Sequence, residues 1–162
     1  MRRKDREITD RQEILSILHR CTVGHMAMVD EEGWPYLLPM NYCCEEKDGI
    51  VRVYLHCAKQ GRKLDVMRAN PKVFFSIDCD RMPFEGRVPC QYGLVYSSIM
   101  GRGTATIVED VEEKKQAMTL LMKTQTGKDF TFEDRLVSIV AVIRIDVAEY
   151  TAKHRPLPEA MR

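Results

Sequence analysis

Four residues within eight positions carry the most chemistry in this chain: His56, Gly61, Arg62 and Lys63. The run 53–64 reads as a strand that ends at His56, a short turn, and a helix whose first turn holds Gly61, Arg62 and Lys63. The positive end of a helix dipole favours acids in the first turn, not bases. Two adjacent cations there make sense when a negative group sits between them. Free backbone N–H groups, a glycine that permits close approach and two basic side chains form a phosphate cradle. Without a ligand, the same pair is a solvated basic turn.

Composition makes any such anion site local. Lys and Arg (25) nearly balance Asp and Glu (24) over 162 residues, so no general nucleic-acid or anionic-membrane partner is expected. The apolar share of 44% is enough for one domain with a real core. No apolar run approaches a membrane span, and the charged 1–7 segment is not followed by a secretory apolar region, which predicts a cytoplasmic protein. Six cysteines (Cys21, Cys43, Cys44, Cys57, Cys79 and Cys90) form no Cys-x-x-Cys pair, so no metal is expected and most read as small buried hydrophobes. Cys43 and Cys44 should point to opposite faces of one strand.

The elements that must position these residues follow from period and punctuation. Residues 1–8 read as a flexible arm. Overlapping capping boxes, Thr9 with Gln12 and Asp10 with Glu13, open a helix to about Arg20. Alternation from 22 to 29, a turn at 30–33, a return strand to Cys44 broken by Pro35 and Pro39, a turn at 45–49 and a strand at 50–56 make an antiparallel meander. A short helix to Ala69 stops at Asn70-Pro71, followed by a strand at 72–79 and a loop at 81–89. The extended segment 92–108 should bend at Gly101-Arg102-Gly103. A capping box at Asp110–Glu113 opens a helix ended by Gly127, and 130–135 reads as a short helical turn. The strand 137–150 is apolar on both faces at Val140 and Val142, as where a barrel wall meets a helix or another subunit. Residues 151–162 read as a tail. Six or seven antiparallel strands in one small domain favour a barrel, which removes exposed edges.

Order and spacing then match a family. The first helix is followed by Val23-Gly24-His25-Met26-Ala27 and by Pro35-Tyr36-Leu37-Leu38-Pro39-Met40-Asn41-Tyr42. Next come Tyr54-Leu55-His56-Cys57-Ala58, Gly61-Arg62-Lys63-Leu64-Asp65, Asn70-Pro71-Lys72-Val73 and Tyr96-Ser97-Ser98-Ile99-Met100-Gly101-Arg102-Gly103. Over roughly residues 9–150 the chain resembles the FMN-binding split-barrel superfamily of pyridoxamine 5′-phosphate oxidases, and within it the NimA-like nitroimidazole-resistance branch. The resemblance implies a mainly β fold, an antiparallel, Greek-key-like split barrel with short helices. It implies a homodimer with FMN at the subunit interface. Arg62 as a fork and Lys63 as a point charge would hold the FMN phosphate, with Ser97 and Ser98 bonding the phosphate end. Backbone groups around Met40, Asn41, Tyr42, Leu55 and His56 would line the flavin edge. His56 would face the substrate or handle a proton, which its ordinary pKa suits. The flavin would do the redox chemistry and the protein would supply position and electrostatics.

One departure bears on the substrate. The oxidases proper carry an Arg/Trp-rich C-terminal signature, whereas this chain ends in Lys153-His154-Arg155-Pro156-Leu157-Pro158 and has its one tryptophan at Trp34, in a turn or dimer seam. Activity on pyridoxamine phosphate is therefore not expected. The leading expectation is an FMN-dependent oxidoreductase acting on a small planar acceptor such as a nitro-aromatic. The alternatives are a flavin-, deazaflavin- or haem-holding module without turnover, with His56 as a haem ligand, and a cofactor-free interaction protein.

Overall fold

Side-chain caps set where two of the helices begin. The computed structural model describes residues 2–159. Helix α1 (Arg11–Arg20) starts behind Asp10, whose carboxylate accepts from the Glu13 N–H at 3.0 Å. Helix α3 (Val111–Thr126) starts behind Asp110, which accepts from the Glu113 N–H at 2.7 Å, and ends on Gly127 in the left-handed region. Helix α2 (Arg62–Ala69) is different: its N-cap is Gly61, at φ 137°, with no side chain bonded to the first turn. Helix α4 is a single short turn (Asp134–Ser138).

The strands are β1 (Glu7–Ile8), β2 (Val23–Val29), β3 (Pro35–Lys47), β4 (Ile50–Ala58), β5 (Lys72–Phe84), β6 (Gly93–Val108) and β7 (Val140–Arg155). All pairings are antiparallel, and because β6 also pairs with β7 the run β2-β3-β4-β7-β6-β5 closes on itself. The return of β5 to lie beside β2 gives the spatial order 5-2-3-4 of a Greek key. The expected antiparallel barrel with short helices is what forms.

Two apolar layers hold it. Met26, Val53, Leu55, Phe75, Ile77, Ile99, Ile143 and Ile145 fill the interior, and Ile14, Ile17 and Leu18 of α1 join that core. A second cluster lies on the outside, where Ala117, Met118 and Leu121 of α3 and Val137 of α4 cover Cys43, Tyr54 and Val142. Val142 outside and Ile143 inside account for the two-sided apolar pattern seen in that strand. Cys43 and Cys44 do point apart, the first toward the Ala117 carbonyl and the second toward His19.

Several boundaries differ from the sequence reading. The short helix read at 130–135 lies at Asp134–Ser138, which delays the last strand from 137 to Val140. Strand pairing extends five other segments, β3 among them, which runs past Cys44 to Lys47 along β4. Within the segment read as a flexible arm, Lys4–Arg6 form a 3-10 turn, and Glu7 and Ile8 pair with Lys153 and Ala152, while Met1 lies outside the described residues. Strand β7 runs through 151–155, read as tail, because β6 pairs with it as far as Tyr96↔Arg155. Strand β5 continues to Phe84 through the expected loop, past a register shift between Cys79 and Met82. Strand β4 continues to Ala58 along β7. The expected bend at Gly101–Gly103 is present as a shift between Arg102 and Gly103. No described helix is long and apolar enough to cross a membrane.

Candidate functional site

The barrel wall splits beside His56. Strand β3 pairs with β4 only from Lys47↔Ile50 to Tyr42↔Leu55. Beyond that point β3 pairs with β2 alone, from Asn41↔Val23 to Pro35↔Val29, while β4 pairs with β7 alone, from His56↔Val142 to Ala58↔Val140. Two strand edges therefore diverge, one carrying Met40 and Asn41 and the other His56 and Cys57. Backbone groups along such edges are free of ladder partners on that side.

Helix α2 sits over the split. The Lys63 ammonium reaches the Met40 thioether at 3.2 Å, a weak acceptor, and no carboxylate pairs with it among the described residues. Half-buried His56 has its Nδ1 buried with no hydrogen-bond partner. Burial first, and then the nearby Lys63 charge, hold its pKa below the ordinary 6.5, so the ring is neutral at neutral pH. Burial raises the Cys57 thiol while Lys63 partly offsets it. The first turn of α2 adds backbone donors: the Leu64 and Asp65 N–H groups turn back to the Gly61 carbonyl, which leaves the Arg62 and Lys63 N–H groups for a ligand, and no capping side chain reaches the turn. Nothing lies within 4 Å of the position a Gly61 Cβ would take, so the approach is open.

Arg62 is less free than its neighbour. One of its Nη groups donates to Asp30 at 2.8 Å, and its guanidinium lies 5.0 Å from the centre of the Tyr36 ring. Asp30 is itself fixed by accepting from the Glu32 and Trp34 N–H groups. The Trp34 N–H, and then Arg62 against the effect of burial, hold its carboxyl below the usual range. A cleft of 240 Å³ beside this pair is lined by Asp30, Glu31, Glu32, Arg62, Asp65 and Val66. Arg62 thus clamps α2 to the β2–β3 hairpin while its remaining N–H donors stay available. Trp34, in that hairpin turn, is exposed.

The other expected residues fall in three places. Asn41 lies on the outer face, its amide donating to Gln125 of α3 at 2.8 Å. Tyr42 and Leu55 turn their side chains into the barrel, and the Tyr42 hydroxyl donates to the Leu18 carbonyl at 2.7 Å. Both backbone groups of Tyr42 are already engaged, its N–H with the Thr22 carbonyl and its carbonyl with Gln125. Ser97 is buried and hydrogen-bonded to His154 Nδ1 at 3.1 Å, while Ser98 is half-buried on the opposite face of β6. These serines pair with Cys79 and Asp78, at the α1 end of the barrel. Within one chain, then, Lys63, His56, Met40, Asn41 and Arg62 gather at the split and Ser97 and Ser98 do not. Asp30, Tyr36 and Gln125 were not singled out from the sequence. The Asp30 position in a turn and the i, i+2 Asx pattern were its only signal. Among the described residues no three His, Cys, Asp or Glu side chains converge as a metal site.

Residues 10–154 match the family described as pyridoxamine 5′-phosphate oxidase. The chain belongs to that family. Among solved structures, a candidate 5-nitroimidazole antibiotic resistance protein from Bacteroides thetaiotaomicron is 30% identical over 91% of this chain and 86% of its own, with a TM-score of 0.78. The flavocytochrome Anf3 from Azotobacter vinelandii (18% identity, 98% of this chain and 73% of that one, TM-score 0.79) shares the fold. So does an FAD- and haem-binding protein from Mycobacterium smegmatis (14% identity, 95% and 76%, TM-score 0.78). No curated protein matches the chain.

Proposed function

We propose that this member of the pyridoxamine 5′-phosphate oxidase family is an FMN-dependent oxidoreductase acting on small planar acceptors such as nitro-aromatics. The observation that carries the reading is the split itself: an uncapped helix start, a lysine without a carboxylate and a histidine with an orphaned buried nitrogen all face one opening. These features fit a phosphorylated planar ligand. Lys63, the α2 first-turn N–H groups and the free donors of Arg62 would hold its phosphate, with Asp30 fixing the Arg62 fork. Backbone groups of Met40, Asn41 and His56 on the unpaired edges would meet its ring edge. Bound FMN supplies the one- and two-electron chemistry that no side chain here offers. His56, kept neutral by burial and by Lys63, can accept a proton and return it beside the acceptor. The similarity to the Bacteroides protein supports the acceptor class.

A second copy completes the proposal. Val23, Val29, Leu37, Phe74 and Met100 are 43–61% exposed, and register makes their strands neighbours on the barrel wall that α3 leaves uncovered. A contiguous apolar wall of this kind marks an interface. The partner is a second copy of this chain, consistent with the near-neutral charge balance.

The test is the absorption spectrum of the purified protein and the mass of the ligand it releases, followed by turnover with a reductant and a nitro-aromatic. Yellow protein releasing FMN and consuming the acceptor is expected. Colourless protein that takes up no added FMN sinks the reading. A second reading keeps the site but not the turnover. The orphaned His56 imidazole would serve a haem iron as well as a flavin, and a haem band in place of a flavin band would decide for it.

A further inference from the structure

The tip of the β5–β6 hairpin and the end of β7 enclose a cleft that the flavin reading does not use. Its volume is 610 Å³, a size suited to a small ligand, and its lining includes Phe84, Glu85, Arg87, Gln91 and Arg155. Arg155 is the last residue of β7 and is half-buried. Its guanidinium lies 4.9 Å from the centre of the Phe84 ring. Stacking of this kind occupies the face of the guanidinium and leaves the N–H donors along its edge open. Among the described residues those donors meet no acceptor and no carboxylate pairs with the charge. The acids of β5 are engaged elsewhere, Asp78 with Arg81 and Asp80 with Arg20. The other half-buried arginines among the described residues are all matched: Arg6 with Asp5, Arg52 with Asp146 and Arg144 with Glu113. A cation drawn out of water is ordinarily paired, so Arg155 is the exception that calls for an anion. The fold makes room for it. A side chain at Gly93 would stand 2.5 Å from Phe84 Cζ and 2.6 Å from an Arg155 Nη, so the glycine lets the stack form. The hairpin tip is fixed as well: Gln91 Oε1 accepts from the Arg87 N–H at 3.0 Å, and the Gln91 N–H donates to the Val88 carbonyl at 2.9 Å.

We propose that this cleft is a second anion site, one that takes a small organic phosphate or carboxylate on the Arg155 fork with Arg87 as the supporting charge. A planar guanidinium whose face is already stacked presents its edge, which matches two oxygens of a carboxylate or phosphate with two parallel N–H bonds. Arg87 adds a cation from the hairpin tip. The two arginines outweigh Glu85, the one acid in the lining, so the cleft is positive. Lys153, two residues earlier on β7, lies 5.4 Å from the centre of the Tyr96 ring and has no carboxylate partner among the described residues, which adds to the positive field at this end. A bound anion ties the β5–β6 hairpin to the end of β7. The inference goes beyond the flavin reading and does not rest on it: neither Arg62 nor Lys63 lines this cleft.

The test titrates the whole isotope-labelled protein, as purified, with pyrophosphate and separately with citrate at constant ionic strength, and follows the backbone amide shifts. Saturable shifts at Gly86 and Gln91 are expected with at least one of the two, and the one that answers tells phosphate from carboxylate. The Gly61 amide reports the Lys63 site separately, so a response confined to Gly61 overturns the proposal. Arg155→Gln keeps a polar side chain but removes the charge and the fork, and should weaken binding roughly 10- to 100-fold. Arg155→Lys keeps the charge alone and should recover part of the loss. Arg87 is exposed, so Arg87→Gln leaves the fold intact and should also weaken binding, which keeps the test decisive where Arg155→Gln fails to fold. Shifts that grow without saturating for both salts, or a saturable response that both glutamine variants leave unchanged, overturn the proposal.

Discussion

Replacing Lys63 by Met keeps the aliphatic stem and deletes only the charge. In the free protein the ammonium touches the Met40 sulfur and no carboxylate, so little native structure depends on it. Stability should change by no more than about 0.5 kcal/mol, as for surface changes that break no special feature. Binding is another matter. A charge-assisted hydrogen bond to a phosphate is worth about 1.5–3 kcal/mol, which at about 1.4 kcal/mol per decade weakens the FMN complex roughly 10- to 100-fold. Lys63→Glu puts a like charge against the phosphate and should weaken it further. A second readout needs no ligand. Lys63 lowers the His56 pKa, so in ligand-free Lys63→Met that value should rise toward 6.5. Flavin fluorescence quenching gives the affinity, and histidine proton shifts against pH give the pKa. A folded Lys63→Met protein that binds FMN as the parent does would refute the assignment of the phosphate. An unmoved His56 titration would refute the geometry beneath it. Arg62→Met is the informative contrast, because it also removes the Asp30 clamp and the Tyr36 stack.

The depressed His56 pKa makes stability fall with acid: its contribution is complete above the unfolded value of 6.5 and is lost as pH drops through the folded value. Chemical denaturation on either side of 6.5, compared with His56→Gln, should show a shallower slope in the variant, and equal slopes would count against burial as the cause. Gly61→Ala introduces a side chain at φ 137° with no steric neighbour, so its cost of about 1–3 kcal/mol is purely conformational and should appear in thermal unfolding. Gly103→Ala would place its Cβ 2.3 Å from the Asp146 carbonyl oxygen, forcing the β6–β7 seam apart at about 3 kcal/mol, and an unaltered melting temperature would show that the bulge can shift.

What the sequence displayed depended on how local its cause was. Asp10 and Asp110 cap their helices through the next turn, so the capping boxes located both starts correctly. The Gly103 bulge was legible because glycine is the residue it needs. Strand ends were not local. Ile8, Pro83 and Thr151 are extended because β7 and β6 lie alongside, and nothing in their own neighbourhoods says so. The site divides the same way. The order His56, Gly61, Arg62, Lys63 exposes the helix start, because two bases at that position oppose the dipole. The Arg62–Asp30 clamp stays hidden, since it depends on how far the β2–β3 hairpin reaches over α2. Gln125 stays hidden too: its bonds to Asn41 and to the Thr22 and Tyr42 carbonyls exist only because α3 packs on the outer wall.

On the proposed function, the placement of the serines predicts a site shared between two copies. Ser98 pairs with Asp78, next to Ile77, which pairs with Gly24, whereas Arg62 bonds Asp30 beyond the other end of β2. At about 3.3 Å per strand residue that is roughly 20 Å along one wall for Arg62. Lys63, on Met40 opposite Gly24, is three strand spacings from β6, about 14 Å around the barrel. Ser97 faces inward to His154, so of the two only Ser98 is on the wall that a partner can reach. In the proposed dimer, a two-fold axis across the uncovered wall would bring the α1 end of one copy against the α2 end of the other. Mixed dimers test this. A Lys63→Glu copy joined to a Ser98→Trp copy has one site in which both faults coincide and one with neither. Each homodimer should bind no FMN, while the mixed dimer should bind one FMN in place of two. A mixed dimer that binds none would mean that each site is built from a single chain, and a Ser98→Trp homodimer that binds normally would remove the serine from the site.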